Sequence, residues 1–112
     1  MRILLDECTP HIVKKRLPHL AISTVQEMNW AGIKNGVLLA KAETDFDVFI
    51  TTDKNLRHQQ NLTGRKLAVL QLPTNQVPIV ETLIPDIEAQ LKQIQAGDIV
   101  SLAMPATGFL DE

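Results

Sequence analysis

The chain has 112 residues, of which 45% are hydrophobic and 21% are charged, a balance typical of one globular domain and unlike a disordered chain. The net charge is −2, so nucleic-acid binding would need a local basic patch instead of a global positive field. A single cysteine, the lack of any apolar run near the roughly 20 residues of a membrane span and the lack of a signal-peptide pattern predict a soluble cytoplasmic protein without disulfides or membrane contact.

Short apolar runs bounded by polar residues predict strands at 2–5, 21–25, 48–51, 67–72 and 99–102, the last being the weakest. Between the first two runs, Thr9 as N-cap and Pro10 as first residue predict a helix that ends at Pro18. Asn35-Gly36 predicts the cap of a second helix over 37–43.

A long amphipathic helix is predicted over 79–96, with a kink or restart at Pro85 and a cap at Gly97. Residues 77–96 supply an apolar stripe that is longer than one small sheet needs, so we expect a partner protein or a second copy of the chain to cover part of it. The alternation of strands and helices predicts an α/β fold with a three-layer, doubly wound, mostly parallel sheet of four to five strands. We assign this domain to residues 1–104 and a C-terminal tail to 105–112.

Carboxylates follow two of the predicted strands. Asp6 and Glu7 come after the first strand and Asp53 after the third, and a flavodoxin-like strand order would bring these strand ends together. Clustered carboxylates repel each other unless a hard cation such as Mg²⁺ or Mn²⁺ lies between them, and a phosphodiester would complete its coordination. The alternative, in which Asp6 and Asp53 are helix caps or loop acids, remains open at this point.

The positions of other charged residues give less support for a functional role. Glu43 flanks an apolar helix face and is a further candidate metal ligand, although a solvent-exposed glutamate is the alternative. Lys54 and Arg57 follow Asp53, where they could hold the backbone of a polyanion such as RNA, or form an ordinary solvated face. Asp47 precedes the third strand and is interpreted as a turn acid at the opposite end.

Three segments carry a resemblance to known proteins: MRILLDEC at 1–8, FDVFITTDKNL at 46–56 and QQNL at 59–62. Trp30, Gly32, residues 34–36 and residues 38–39 fit the same pattern. Together they resemble a family of small bacterial PIN-like proteins, and the resemblance covers nearly the whole chain.

PIN domains are metal-dependent ribonucleases, and many are VapC-type toxins. The resemblance therefore implies a PIN-like fold, Mg²⁺ or Mn²⁺ as cofactor, RNA as substrate, and catalytic and metal-binding roles for Asp6, Glu7 and Asp53. It also implies a toxin–antitoxin module whose helix-turn-helix antitoxin is encoded by a neighbouring gene. One acid of the fuller PIN pattern has no match, because Asn35 and Val37 are neutral.

Two other functions stay open. A PIN-like module that binds protein or RNA without catalysis would explain the missing acid. A phosphotransfer receiver domain also uses an acidic pair and an aspartate after the third strand, but its late lysine has no convincing match here.

Overall fold

The computed structural model describes residues 1–56, 62 and 64–105, and in this part of the chain one sheet organises the fold. Its strands are β1 (Arg2–Leu5), β2 (Ala21–Thr24), β3 (Val48–Thr51), β4 (Ala68–Gln71) and β5 (Ile99–Ser101). The order is β2-β1-β3-β4-β5, and every neighbouring pair is parallel. The α/β prediction is confirmed, and the chain reverses its winding direction between β1 and β3, where open sheets of this type leave a crevice at their carboxyl edge.

Helices cover both faces of the sheet, as the three-layer prediction requires. They are α1 (Ile12–Arg16), α2 (Asn35–Asp45), α3 (Val77–Thr82) and α4 (Ile84–Gln93). Alternate strand residues point to opposite faces, so neighbouring apolar residues of one strand enter different cores. Leu5 and Ile50 pack with α1, α3 and α4, whereas Leu4 and Phe49 pack with α2. All four residues of β3 are buried, which explains why that strand is a continuous apolar run.

The first helix begins later than the sequence predicts. Thr9 is not its N-cap: the Thr9 side chain is 1% exposed and its hydroxyl donates a long hydrogen bond of 3.5 Å to the carbonyl of Ile50. The N-cap position belongs to His11, whose side chain makes no capping hydrogen bond. The Thr9 hydroxyl thus bonds to the backbone of β3 instead of capping the start of α1.

The other helix boundaries also differ from the prediction. Helix α2 begins at Asn35, so Asn35 is its first residue and Lys34 its N-cap. The predicted long helix is two helices that meet at Leu83, with Pro85 near the start of the second, which confirms a restart. Gly97 lies beyond the C-cap, Ile94, in a turn of its own.

The apolar stripe of α3 and α4 is mostly buried against the chain's own sheet. Val80, Leu83, Ile87 and Leu91 belong to the same core as Leu5, while Val77 stays 48% exposed. None of the helices in the described residues combines the length and hydrophobicity of a membrane span. The predicted tail, apart from its first residue, lies outside the described residues.

Candidate functional site

The carboxyl ends of β1 and β3 bring Asp6 next to Thr51. Leu5 is paired with Ile50 in the parallel register, so the next residues of the two strands, Asp6 and Thr51, are also neighbours. The backbone N–H of Asp6 donates to the carbonyl of Ile50 at 2.9 Å and extends the ladder past the strand. Asp6 is only 8% exposed, which is unusual for a carboxylate and requires hydrogen-bond partners.

The hydroxyl of Thr51 lies between Asp6 and Asp53. It donates to Oδ2 of Asp6 at 2.7 Å and accepts a hydrogen bond from the backbone N–H of Asp53 at 3.0 Å. Thr51 is completely buried, so this hydroxyl must use its hydrogen-bonding capacity inside the protein. The structure therefore brings Asp6 and Asp53 to one edge of the sheet, and the Thr51 side chain connects the Asp6 carboxylate to the backbone of Asp53.

Asp53 begins a tight loop after β3. Its Oδ1 accepts a hydrogen bond from the backbone N–H of Asn55 at 2.9 Å, an arrangement that turns the chain locally. The Asp53 side chain is half-buried. Asp53 thus has a structural role as a loop acid, and the same role fixes its carboxylate at the edge where Asp6 lies.

Cys8 is part of the same cluster, although it was not among the site residues predicted from sequence. Its Sγ donates to Oδ2 of Asp6 at 3.3 Å, and the hydroxyl of Thr52 approaches that sulfur at 3.2 Å. The hydroxyl of Thr52 also lies 3.2 Å from the carbonyl of Cys8. These contacts join the loop after β1 to the loop after β3.

Glu7 is turned away from this cluster. Its Oε1 accepts a hydrogen bond from the backbone N–H of Gly32 at 3.2 Å, in the loop that follows β2. Gly32 has a φ of +81°, a conformation that residues with a Cβ rarely adopt, so the position of this N–H depends on glycine. Strand β2 lies on the side of β1 opposite to β3, so Glu7 does not join Asp6 and Asp53 in this conformation.

Glu43 lies at the opposite, amino edge of the sheet. The prediction that Glu43 could join Asp6 and Asp53 as a metal ligand is therefore wrong for this conformation. Its Oε1 accepts from the backbone N–H of Lys66, just before β4, at 2.6 Å, and Oε2 is 3.6 Å from the guanidinium of Arg65. Glu43 and Asp47 line the same amino-edge cavity, which confirms the predicted position of Asp47. A helix face alone did not reveal which end of the sheet Glu43 would reach.

Of the two residues predicted to contact RNA, Lys54 is exposed and Arg57 is not among the residues that the structure describes. Lys54 follows Asp53 and lines a groove of about 450 Å³ at the carboxyl ends of β4 and β5. Of this predicted pair the structure describes Lys54, and one lysine does not form the local basic patch that nucleic-acid binding needs.

The carboxylate oxygens at this edge could supply some, but not all, of the ligands of a hard cation. A carboxylate offers about four acceptor positions, and three donors already contact Asp6: the N–H of Glu7, the thiol of Cys8 and the hydroxyl of Thr51. Mg²⁺ needs only one or two carboxylates when water and substrate phosphate supply the remaining oxygens. Within residues 1–56, 62 and 64–105, no three His, Cys, Asp or Glu side chains are grouped as a metal site. Asp6 and Asp53 are therefore the two carboxylates that this edge offers to a cation, linked from the Asp6 carboxylate through Thr51 to the backbone N–H of Asp53.

Comparison of this chain with protein-family models, curated proteins and solved structures finds no match in any of the three.

Proposed function

We propose that the chain is a divalent-metal-dependent endoribonuclease of PIN-like fold, with Asp6 and Asp53 as its central residues. The observation that carries the proposal is the hydrogen-bond bridge through Thr51, which links the Asp6 carboxylate to the backbone N–H of Asp53 at the switch point of a parallel sheet. This is the position where open α/β sheets bind ligands. The resemblance of the segments at 1–8 and 46–62 to PIN-like proteins supports the same reaction class.

Each residue has a separate task in this mechanism. Asp6 and Asp53 would hold Mg²⁺ or Mn²⁺, which supplies charge neutralisation for a phosphodiester and a more acidic water. Thr51 fixes Asp6 in one orientation, so the carboxylate needs little rearrangement during the reaction. Lys54 attracts the polyanionic backbone toward an edge that is otherwise acidic. Glu7 holds the loop after β2 in place by accepting the hydrogen bond from the N–H of Gly32.

The first prediction concerns charge at the paired acids. Asp6→Asn and Asp53→Asn keep the size of each side chain but remove a negative charge, so the attraction for the cation falls. We expect RNA cleavage in Mn²⁺ to fall by roughly a hundredfold or more in each variant, a scale typical of groups that stabilise a charged transition state. The measurement is cleavage of a labelled RNA by protein purified free of any partner.

Asp47→Asn is the matched control, because Asp47 lies at the opposite edge and an asparagine oxygen can still accept the N–H of Arg2, which now contacts it at 2.7 Å. Cleavage by this variant should equal that of the unmodified chain. Full metal-dependent cleavage by Asp53→Asn, or no cleavage by the unmodified chain in Mn²⁺, would contradict the nuclease proposal.

The second candidate function is a PIN-like module that binds RNA or protein without catalysis. The observation that favours it is the position of the other acids: Glu7 contacts Gly32 and Glu43 lies at the far edge. Thermal unfolding separates the two functions, because a cation that binds only the folded state raises Tm. A rise in Mn²⁺ that disappears in Asp6→Asn supports the nuclease, whereas equal Tm values with and without Mn²⁺ support the binding module.

The resemblance also supports a biological role as the toxin of a toxin–antitoxin module. We propose a neighbouring-gene antitoxin as partner and cytoplasmic RNA as target. Expression of the chain alone should slow bacterial growth, and co-expression of the protein from the neighbouring gene should restore it. Undiminished growth during expression of folded chain would argue against the toxin role.

A further inference from the structure

The two oxygens of the Asp6 carboxylate are unequally occupied by hydrogen-bond donors. Oδ1 accepts the backbone N–H of Glu7 at 2.9 Å. Oδ2 accepts two side-chain donors, the hydroxyl of Thr51 at 2.7 Å and the thiol of Cys8 at 3.3 Å. A carboxylate offers about four acceptor positions, two on each oxygen, so both positions on Oδ2 are filled. A cation that binds through Oδ2 therefore has to replace one of these donors.

The two donors to Oδ2 differ in how easily they can leave. Thr51 is completely buried, so water cannot take over the hydrogen bond that its hydroxyl would lose. Cys8 is exposed, and a thiol is a weaker donor than a hydroxyl. The thiol is also the longer of the two contacts. Cys8 is therefore the donor that can leave Oδ2 at the lower cost.

Two hydroxyl groups near the sulfur give the thiol other partners when it leaves Asp6. The hydroxyl of Thr52 lies 3.2 Å from Sγ of Cys8, and the hydroxyl of Thr51 lies 3.9 Å from it. A hydroxyl oxygen accepts as well as donates, so either oxygen can accept the S–H in place of the carboxylate. Water can do the same, because Cys8 is exposed.

We propose that the thiol of Cys8 competes with a divalent cation for Oδ2 of Asp6 and thereby lowers the cation affinity of the paired acids. This inference rests on the proposed function and concerns its regulation by one side chain. Cys8 is a positioning residue in this role, since it acts through Asp6. Removal of the thiol should strengthen cation binding, whereas removal of a side chain that only supports the loop should weaken it.

The first test measures cation binding by the full chain in the absence of RNA. Mn²⁺ is titrated into metal-free protein, and the free ion is followed by its electron paramagnetic resonance signal. Cys8→Ala should lower the Kd by about three- to tenfold, because a donor to a charged acceptor is lost. Cys8→Ser should raise the Kd, because a hydroxyl is a stronger donor to a carboxylate than a thiol is.

Two further variants show where the ion binds and whether the effect is specific. Asp6→Asn should abolish the tight component of Mn²⁺ binding, which locates the ion at the paired acids. Thr82→Ala is the matched control, because Thr82 carries an exposed hydroxyl that donates to the carbonyl of Ile79 in α3 at 2.6 Å. Its removal should leave the Kd unchanged.

The second test observes the thiol itself. Cys8 is the single cysteine of the chain, so its S–H stretching band in the infrared reports this one contact. The band moves to lower frequency when a thiol donates a strong hydrogen bond, and a carboxylate is a stronger acceptor than a neutral hydroxyl. Saturation with Mn²⁺ should therefore move the band to higher frequency in the unmodified chain.

The outcomes separate this inference from the nuclease proposal. If RNA is cut in Mn²⁺ but Cys8→Ala binds the ion equally or more weakly, or the S–H band does not move, the competition is overturned and the nuclease stands. If Cys8→Ala binds Mn²⁺ more tightly and the band moves but no RNA is cut, the competition is supported and the nuclease fails. Absence of Mn²⁺ binding by both the unmodified chain and Cys8→Ala would overturn both.

Discussion

The hydroxyl of Thr51 makes two hydrogen bonds at once, one as donor and one as acceptor. It donates to Asp6 and accepts from the N–H of Asp53, and it does so with no exposure to water. Valine has nearly the same shape but neither donates nor accepts. Replacement by valine would therefore leave a buried carboxylate oxygen short of a donor and a backbone N–H without its acceptor.

We predict that Thr51→Val lowers the free energy of unfolding by about 1 to 3 kcal/mol, the usual cost of a buried polar group that loses its partner. Thr51→Ser keeps the hydroxyl and loses only a methyl group, so its loss should be smaller. Urea denaturation of the three proteins measures the difference. Equal stability of the valine and serine variants would show that the bridge contributes little.

Two left-handed glycines allow backbone strain and steric contact to be separated. Gly64 and Gly97 both have a φ of +83°, which favours glycine. Among the described residues, a Cβ at Gly64 would meet nothing within 4 Å, whereas a Cβ at Gly97 would lie 3.0 Å from the carbonyl oxygen of Arg65. Backbone strain should therefore affect both positions, and crowding only the second.

We predict that Gly64→Ala destabilises the fold by about 1 to 2 kcal/mol through its left-handed conformation. Gly97→Ala should cost distinctly more, because the carbonyl of Arg65 must also move. The midpoints of urea unfolding for the two variants give the comparison. A Gly97→Ala variant as stable as Gly64→Ala would mean that the turn before β5 accommodates the extra atom freely.

At the scale of elements, the turn after β2 is held by a reciprocal pair of hydrogen bonds. The N–H of Thr24 donates to Oε1 of Glu27 at 2.8 Å, and the N–H of Glu27 donates to the hydroxyl of Thr24 at 3.0 Å. The same carboxylate accepts from Lys14 of α1 at 2.6 Å. The hydrogen bond from Lys14, followed by that from the backbone of Thr24, lowers the pKa of Glu27 from 4.5 to about 2.

This lowered pKa has a defined consequence for stability. A carboxyl whose pKa is lower in the folded than in the unfolded state stabilises the fold above the unfolded pKa, and the contribution disappears as the pH falls through the folded pKa. We predict that Glu27→Gln reduces stability at neutral pH and that the difference from the unmodified chain shrinks between about pH 4.5 and about pH 2. Urea denaturation at several pH values checks this, and a difference independent of pH would contradict it.

The strands were predictable from sequence, but the details of helix starts were not. β1 and β3 have the predicted bounds because each is an apolar run ended by polar residues. The predicted cap at Thr9 was wrong because its hydroxyl contacts the carbonyl of Ile50, 41 residues away along the chain. A local pattern contains no information about such a contact, since it depends on how the strands pair.

The same limit applies to the candidate site. Asp6 and Asp53 could be found because each directly follows a predicted strand. The sequence points to Thr51 less clearly: it is the polar residue at the end of β3, whose other three residues are apolar. The contact of Glu7 with Gly32 depends on the path of a loop, so its orientation could not be predicted.

At the scale of the whole molecule, the sheet is unevenly supported. β1 and β3 have a strand on each side and helices on both faces, whereas β5 pairs only with β4 and its three residues are partly or fully exposed. Segments with few buried contacts open locally at lower cost than the central core.

We therefore predict that the backbone amides of β1 and β3 exchange with solvent only through global unfolding. The amides of β5 should exchange faster, by local opening that leaves the rest of the sheet intact. Native-state hydrogen exchange in low urea distinguishes the two routes. Equal protection of β5 and β3 would show that the sheet opens as a single unit.

The parallel arrangement of the strands gives the two ends of the described chain different surroundings. Met1 is exposed at the edge that holds Glu43 and Asp47, whereas the segment after β5 leaves from the edge that holds Asp6 and Asp53. An affinity tag or reporter fused before Met1 would therefore project away from the paired acids and from the groove. A surface-immobilised protein for binding studies is best attached through that end.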